Sequence, residues 1–210
     1  MDPVDEYIRR FISADSTHLA RIAKQEALRQ DIQPSIGLEV GKFLSVLICV
    51  IQAKRVLELG TSLGYSTVCL AESLRATGGT LTSIECDERL LLETQQNVSA
   101  AGLSEVVELI LGDARAVLES LEGPFDLILQ DSDKALYPLL LNRCVDLTRE
   151  HGVIVADDTL FKPRGVPDKF STPVHQYNGM VFADPRLHST ILPIGDGITL
   201  SVKVSRRSSE

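Results

Sequence analysis

Val56-Leu57-Glu58-Leu59-Gly60-Thr61-Ser62-Leu63-Gly64-Tyr65-Ser66 decides the fold of this 210-residue chain. Its first four residues read as a buried strand, a glycine turn follows, and a helix begins. About twenty residues on, Leu81-Thr82-Ser83-Ile84 reads as a second strand ending on Glu85. A strand, a glycine turn, a helix and an acidic residue at the tip of the next strand make the nucleoside-binding half of a doubly wound α/β sheet. Gly60 and Gly64 have no Cβ and let the backbone come close to a ligand. The Glu85 carboxylate can accept hydrogen bonds from two ribose hydroxyls.

Outward from this unit the chain alternates strand and helix. Strands are predicted at 55–59, 80–84, 106–110, 125–130 and 152–157, with helices at 64–76, 87–101, 114–120 and 136–148. The strands are near-continuous apolar runs, as in a parallel sheet covered on both faces. The tail differs: His188–Pro193 and Ile198–Val204 flank Ile194-Gly195-Asp196-Gly197, a hairpin signal. Residues 1–52 read as all-helical, with apolar spacing at Tyr7, Ile8, Phe11 and Ile12, then at Leu19, Ile22, Ala23 and Ala27. Val40, Phe43, Leu44, Leu47 and Ile48 form an inner face. The chain thus reads as one domain, 1–210, with a helical cap over 1–52 and a Rossmann-like core over 53–210.

Composition narrows the function. Hydrophobic residues make up 44% and the formal charge is -8, which supports a full core and argues against a nucleic-acid footprint. No apolar run reaches the ~18–20 residues of a membrane span. The acidic start, Met1-Asp2-Pro3-Val4-Asp5-Glu6, lacks a signal-peptide core, so a cytoplasmic location is expected. Cys49, Cys69, Cys86 and Cys144 have no metal-like pairing and are expected to be buried free thiols. His18, His151, His175 and His188 are scattered without ligand spacing.

Two strand ends carry carboxylates. Phe125–Gln130 runs into Asp131-Ser132-Asp133-Lys134, and Val153–Ala156 runs into Asp157-Asp158-Thr159. Open α/β sheets place ligands at such ends. If the two strands lie near the topological switch point, Asp131, Asp157 and Asp158 converge, and a hard divalent ion such as Mg²⁺ would relieve their repulsion.

The chain resembles the S-adenosylmethionine (SAM)-dependent O-methyltransferases of the catechol and caffeoyl-CoA type. The resemblance rests on Val56–Ser66, Ile84–Asp87, Leu111-Gly112-Asp113-Ala114, Pro124–Lys134 with Tyr137, Val155–Leu160, and the ending Leu192–Gly197. It implies a seven-stranded, mostly parallel sheet with an antiparallel C-terminal hairpin. The spacing Gly60-x-x-x-Gly64 also departs from the G-x-G-x-x-G of dinucleotide folds, and SAM has no pyrophosphate to bind. The resemblance implies a SAM site made by Glu58, Gly60, Thr61, Gly64, Tyr65, Ser66, Glu85, Cys86, Asp113, Ala114 and Asp131. Within it, Glu58 with Gly60 and Ser66 holds the methionine end, Glu85 the ribose, and Asp113 with Ala114 the adenine. It implies a divalent ion on Asp131, Asp157 and Asp158, the last standing where relatives usually carry Asn. It makes Lys134, with a depressed pKa, the general base toward a small catechol-like or phenolic acceptor. Phe161 stands where relatives often have Trp, Lys162–Thr172 reads as a mobile lid or insertion loop over the site, and Tyr177 and Asn178 occupy a region that helps shape the pocket in relatives. A homodimer through the N-terminal helices is also implied. Three alternatives remain: a metal-independent SAM methyltransferase acting on another nucleophile, a nicotinamide dehydrogenase, and a SAM-binding module without catalysis.

Overall fold

The computed structural model describes residues 6–8, 10–12 and 16–205. Helix expected at the remaining N-terminal positions lies outside the described residues. Helix α1, Thr17–Glu26, starts at Ser16, whose Oγ accepts the Leu19 N–H at 3.2 Å, a standard side-chain cap. Helix α2, Gly37–Ile51, buries Val40, Leu44 and Ile48. The all-helical reading of 1–52 is too broad. Residues 10–11 form a turn, and residues 27–36 form turns, bends and irregular chain. Pro34 accounts for the second break, because it has no N–H and disfavours helix at the residue before it.

The core then follows as β1 Arg55–Leu59, α3 Tyr65–Thr77, β2 Thr80–Glu85, α4 Glu88–Ala100, β3 Val107–Leu111, α5 Ala114–Ser120 and β4 Phe125–Gln130. A single 3₁₀ turn at Lys134–Leu136 leads into α6 Tyr137–Leu147, β5 Thr148–Ala156, α7 Asp168–Ala183, β6 Leu187–Leu192 and β7 Ile198–Lys203. The strands form one seven-stranded sheet in the order β3-β2-β1-β4-β5-β7-β6. The first five are parallel, while β7 runs antiparallel to β5, and β6 to β7. The expected Rossmann-like fold with its C-terminal hairpin is present.

Alternate residues of each strand leave the sheet on opposite faces. Val56, Leu81, Leu127, Leu129, Val153 and Val155 pack with α2 and α3 in one core cluster. Leu57, Leu59, Ile84, Ile128, Ile154 and Ala156 pack with α6 and α7 in the other. Such two-sided burial explains why these strands lack polar alternation.

Two expectations are corrected. Residues 162–172 are not a free lid. A run of turns ends at Pro167, and α7 begins at Asp168, whose carboxylate suits the positive end of the helix and pairs with Lys162 Nζ at 2.6 Å. Arg164 also donates to the Gly195 carbonyl at 2.8 Å, tying the turns to the C-terminal hairpin. The cysteines split: Cys69 and Cys144 are buried, but Cys49 and Cys86 are exposed. Cys49 lies on the outer side of α2, and Cys86 just past the tip of β2.

Candidate active site

The site is built by strand register. Ile84 pairs with Leu59, Leu59 with Gln130, and Gln130 with Ala156, so the next residues, Glu85, Gly60, Asp131 and Asp157, form one row along the sheet edge. Backbone bonds extend the row: Gly112 N to Glu85 O (2.9 Å), Gly60 N to Ile84 O (2.9 Å), Asp131 N to Leu59 O (3.1 Å) and Asp157 N to Gln130 O (3.2 Å). The strand order reverses between β1 and β4, so the switch-point crevice opens at Gly60 and Asp131. Asp131, after β4, borders this crevice, and Asp157 and Asp158, after β5, lie one strand further along.

On the β1 side, Glu58 is fully buried. Its Oε2 accepts from the Thr67 hydroxyl at 2.7 Å and the Ser83 hydroxyl at 2.6 Å. Its Oε1 has no hydrogen-bond partner. Burial pushes the Glu58 carboxyl up to about 7, against the pull of the Ser66, Ser83 and Thr67 hydroxyls. An unpaired oxygen on a buried carboxyl is costly unless a donor arrives, and it fits a cationic amine.

The glycines serve the turn itself. Gly60 has φ +92, and a Cβ there would lie 2.5 Å from the Asp131 carbonyl oxygen. Gly64 has φ +84 and faces Thr94, whose Cγ2 would be 2.8 Å from a Cβ. Close packing of the turn against β4 and α4 therefore requires them, independently of any ligand. From α4, Thr94 Oγ1 donates to the Ser62 carbonyl at 2.9 Å, and Asn97 Nδ2 to the Leu63 carbonyl at 2.8 Å. Thr94 and Asn97 thus hold the turn, yet lone polar residues on a helix give no sequence signal for that role. Thr61, Tyr65 and Ser66 are all buried in or beside the turn.

Glu85 is heavily engaged. Its Oε2 accepts from the Thr61 N–H (3.0 Å) and Ser62 N–H (3.1 Å), and its Oε1 from the Cys86 N–H (2.8 Å) and Asp87 N–H (3.0 Å). Four amide donors make this carboxylate a staple between the two strand-end turns. Asp113 is the N-cap of α5, accepting from the Arg115 N–H at 2.8 Å, and it pairs with the Arg115 guanidinium at 2.6 Å. Ala114 is buried beneath it.

On the β4–β5 side, Asp131, Asp157 and Asp158 each offer a carboxylate oxygen within 4.8 Å of the others. Asp157 is 4% exposed, and its Oδ1 has no partner. Asp158 takes φ +63, a left-handed conformation that Asp and Asn tolerate better than other side chains. Lys134 Nζ lies 2.9 Å from Asp131 Oδ1, 2.8 Å from Asp158 Oδ2 and 3.0 Å from the Tyr137 hydroxyl. The Tyr137 hydroxyl also reaches the Gln130 carbonyl at 2.8 Å and the Asp157 carbonyl at 3.2 Å, bridging the ends of β4 and β5. The ring of Tyr177 stands edge-on to that of Tyr137, with centroids 5.4 Å apart. Tyr177 is therefore a core residue. Asn178 binds the Thr159 carbonyl at 2.9 Å and the Thr199 hydroxyl at 2.8 Å, fixing the chain after Asp158.

The electrostatics of this cluster differ from expectation. Burial, then repulsion from Asp131 and Asp158, raises the Asp157 carboxyl well above its ordinary value; burial raises Asp158 as well. Burial alone would depress Lys134, but Asp131, Tyr137 and Asp158 outweigh it and hold its pKa well above the ordinary lysine value. The depressed pKa expected of Lys134 is thus absent, because its ammonium is held between Asp131 and Asp158. The chemistry of this donor set, all oxygen with one buried orphan, fits a hard divalent ion. Two cavities, of about 260 Å³ between α2 and α3 and about 330 Å³ beside α7 and β6, have walls that include none of these carboxylates.

Comparison with known proteins agrees with this geometry. The profile of the O-methyltransferase family matches residues 10–204. A catechol O-methyltransferase from Niastella koreensis is 32% identical over 96% of each chain. The O-methyltransferase TomG from Streptomyces achromogenes, involved in tomaymycin synthesis and solved with SAM, superposes with a TM-score of 0.84 at 26% identity over 96% of each chain. An O-methyltransferase from Bacillus cereus solved with S-adenosylhomocysteine (SAH) gives 0.81 at 27% identity, over 95% of this chain and 96% of the other. With the profile spanning nearly the whole sequence and the motifs aligned along one sheet edge, the chain belongs to the O-methyltransferase family, of the type that includes the catechol and caffeoyl-CoA enzymes.

Proposed function

We propose that this chain transfers a methyl group from SAM to a hydroxyl of a small catechol-like or phenolic acceptor, with a divalent ion, Mg²⁺ in the first instance, beside the donor. The observation that carries this reading is one sheet edge with an unpaired buried Glu58 oxygen in β1 and three convergent carboxylates with Lys134 after β4 and β5. Glu58 receives the amine of the donor's methionine end, next to Gly60, Thr61, Gly64, Tyr65 and Ser66. Ribose hydroxyls reach Glu85 by sharing oxygens that already accept amides, and Cys86, Asp113 and Ala114 flank the base.

Asp131, Asp157 and Asp158 would hold the divalent ion, which when bound would supply positive charge that makes a neighbouring hydroxyl more acidic. A phenol has a pKa of about 10 and is mostly protonated at neutral pH. With its carboxylate partners neutralised, Lys134 would lose its own proton to solvent and, as the neutral amine, would take the acceptor proton. The oxygen then bonds to the methyl carbon as the carbon–sulfur bond breaks, leaving SAH. Positioning of the two substrates contributes most of the rate. The test is SAM-dependent methylation of a panel of vicinal diols and phenols. Turnover that EDTA abolishes is expected, and turnover that survives EDTA would favour metal-independent chemistry.

The protein acts as a homodimer in this reading. Val46 and Val50 stand 62% and 73% exposed, one turn apart on α2, and Leu28, in the turn after α1, is 80% exposed. Light scattering after size exclusion is expected to give twice the 23.0 kDa chain mass; a clean single-chain mass would refute it.

A further inference from the structure

Lys134 lies where a bound cation would be most attracted. Its ammonium sits between Asp131 Oδ1 (2.9 Å) and Asp158 Oδ2 (2.8 Å), and it is itself largely buried. The third carboxylate, Asp157, has an unpaired, buried oxygen, and the three residues each offer one oxygen within 4.8 Å of the others. Three carboxylates against one ammonium leave the cluster short of positive charge. The ammonium is also tethered, because the Tyr137 hydroxyl at 3.0 Å anchors it to the strand ends. Any divalent ion that takes the Asp131 and Asp158 oxygens has to move this amine off both.

We propose that Asp158 and Lys134 set the cation affinity of the site between them, Asp158 as the carboxylate that draws the ion in and Lys134 as the built-in cation the ion must displace. The proposal rests on the divalent-ion reading above and adds roles that reading does not contain. Asp158 acts by charge. Its backbone holds φ +63, and the residues after it are pinned, with the Thr159 N–H on the Gly197 carbonyl at 2.8 Å and the Leu160 N–H on the Asp196 carbonyl at 3.0 Å. Asparagine adopts the same conformation at little cost, so Asp158→Asn removes one charge without moving the loop. A third carboxylate also favours larger ions: Mg²⁺ keeps waters and is usually held by about one or two carboxylates, whereas Ca²⁺ takes about 6–8 oxygens. The Asp158→Asn loss is therefore larger for Ca²⁺ than for Mg²⁺.

Calorimetric titration of Mg²⁺ and of Ca²⁺ into the full chain, its Asp158→Asn variant and its Lys134→Gln variant tests this without any turnover. Asp158→Asn is expected to weaken both ions by about tenfold or more, and Lys134→Gln to tighten both by a similar factor, as unit charges a few ångströms away should do in a partly buried site. Ion affinities in both variants within about threefold of the unsubstituted chain, a margin well below one unit-charge effect, would overturn the proposal while leaving the divalent site standing. So would weakened binding in Lys134→Gln. Absence of binding of either ion to the unsubstituted chain would overturn the divalent site as well. Should Asp158→Asn melt early, Lys134→Gln alone still decides the competition.

Discussion

Lys134→Ala is expected to lower kcat for methyl transfer by about two to four orders of magnitude, the range for loss of a positioned general base, while the dissociation constant for SAH stays within about threefold, a change of less than ~1 kcal/mol. The amine touches Asp131, Asp158 and Tyr137 and makes no contact with Glu58 or with the Gly60 turn. The acceptor end of the site therefore loses its proton acceptor, and the donor end keeps its hydrogen bonds. The same substitution leaves Asp131, Asp157 and Asp158 repelling one another without an internal counter-charge. Thermal stability should drop in EDTA and recover with added Mg²⁺. Paired kcat and SAH-binding measurements check the claim. A kcat within tenfold of the unsubstituted enzyme would remove Lys134 from the chemistry, and equal losses in kcat and SAH affinity would make it a structural residue.

The second large effect is a pH dependence of donor binding governed by Glu58. Its carboxyl is raised to about 7 by burial, so it is mainly protonated in the ligand-free protein at mildly acid pH. A raised carboxyl contributes stability that is fully present below the unfolded pKa of 4.5 and is lost as pH rises through about 7. That loss is on the order of 3 kcal/mol for the ligand-free chain. A donor amine on the free Oε1 favours the ionised form, so donor binding expels a proton below pH 7. SAH affinity should rise about tenfold per pH unit up to about 7 and level off above, in metal-free buffer. Calorimetry across pH 5.5–8.5, in buffers of different ionisation enthalpy, reads both the affinity and the released proton (range chosen to span about one unit either side of the Glu58 value). Glu58→Gln should flatten the profile and weaken binding by about 1.5–3 kcal/mol, the size of a hydrogen bond to a charged group. A profile that is flat in the unsubstituted chain would show that Glu58 does not meet the donor amine.

Much of this site is legible in the sequence because parallel strands convert sequence patterns into spatial ones. Each apolar run ends on a polar residue, and register alone brings Glu85, Gly60, Asp131 and Asp157 into line. The hairpin was legible from Asp196-Gly197 for an equally local reason. What escaped depends on distant partners. Helix α7 was hidden by the prolines and glycine that precede it and by Pro173 within it. The exposure of Cys49 and Cys86 depends on which side of an element faces out. Glu85 reads as an open acceptor, but two of the four amides that fill it come from the Gly60 turn, 24 and 23 residues away. The raised pKa of Lys134 comes from Asp131 and Asp158 at two strand ends and Tyr137 at the start of α6, which no local motif encodes. Thr94, Asn97 and Asn178 do their work through hydrogen bonds to partners distant in sequence.

With donor, divalent ion and proton acceptor placed along one sheet edge as proposed, an acceptor must chelate to be methylated. The most direct measurement compares initial rates of methyl transfer from SAM to catechol and to phenol, in Mg²⁺ and after EDTA. Rapid methylation of catechol alone, lost in EDTA and restored by added Mg²⁺, is the expected result. Equal rates on catechol and phenol that ignore EDTA would contradict it.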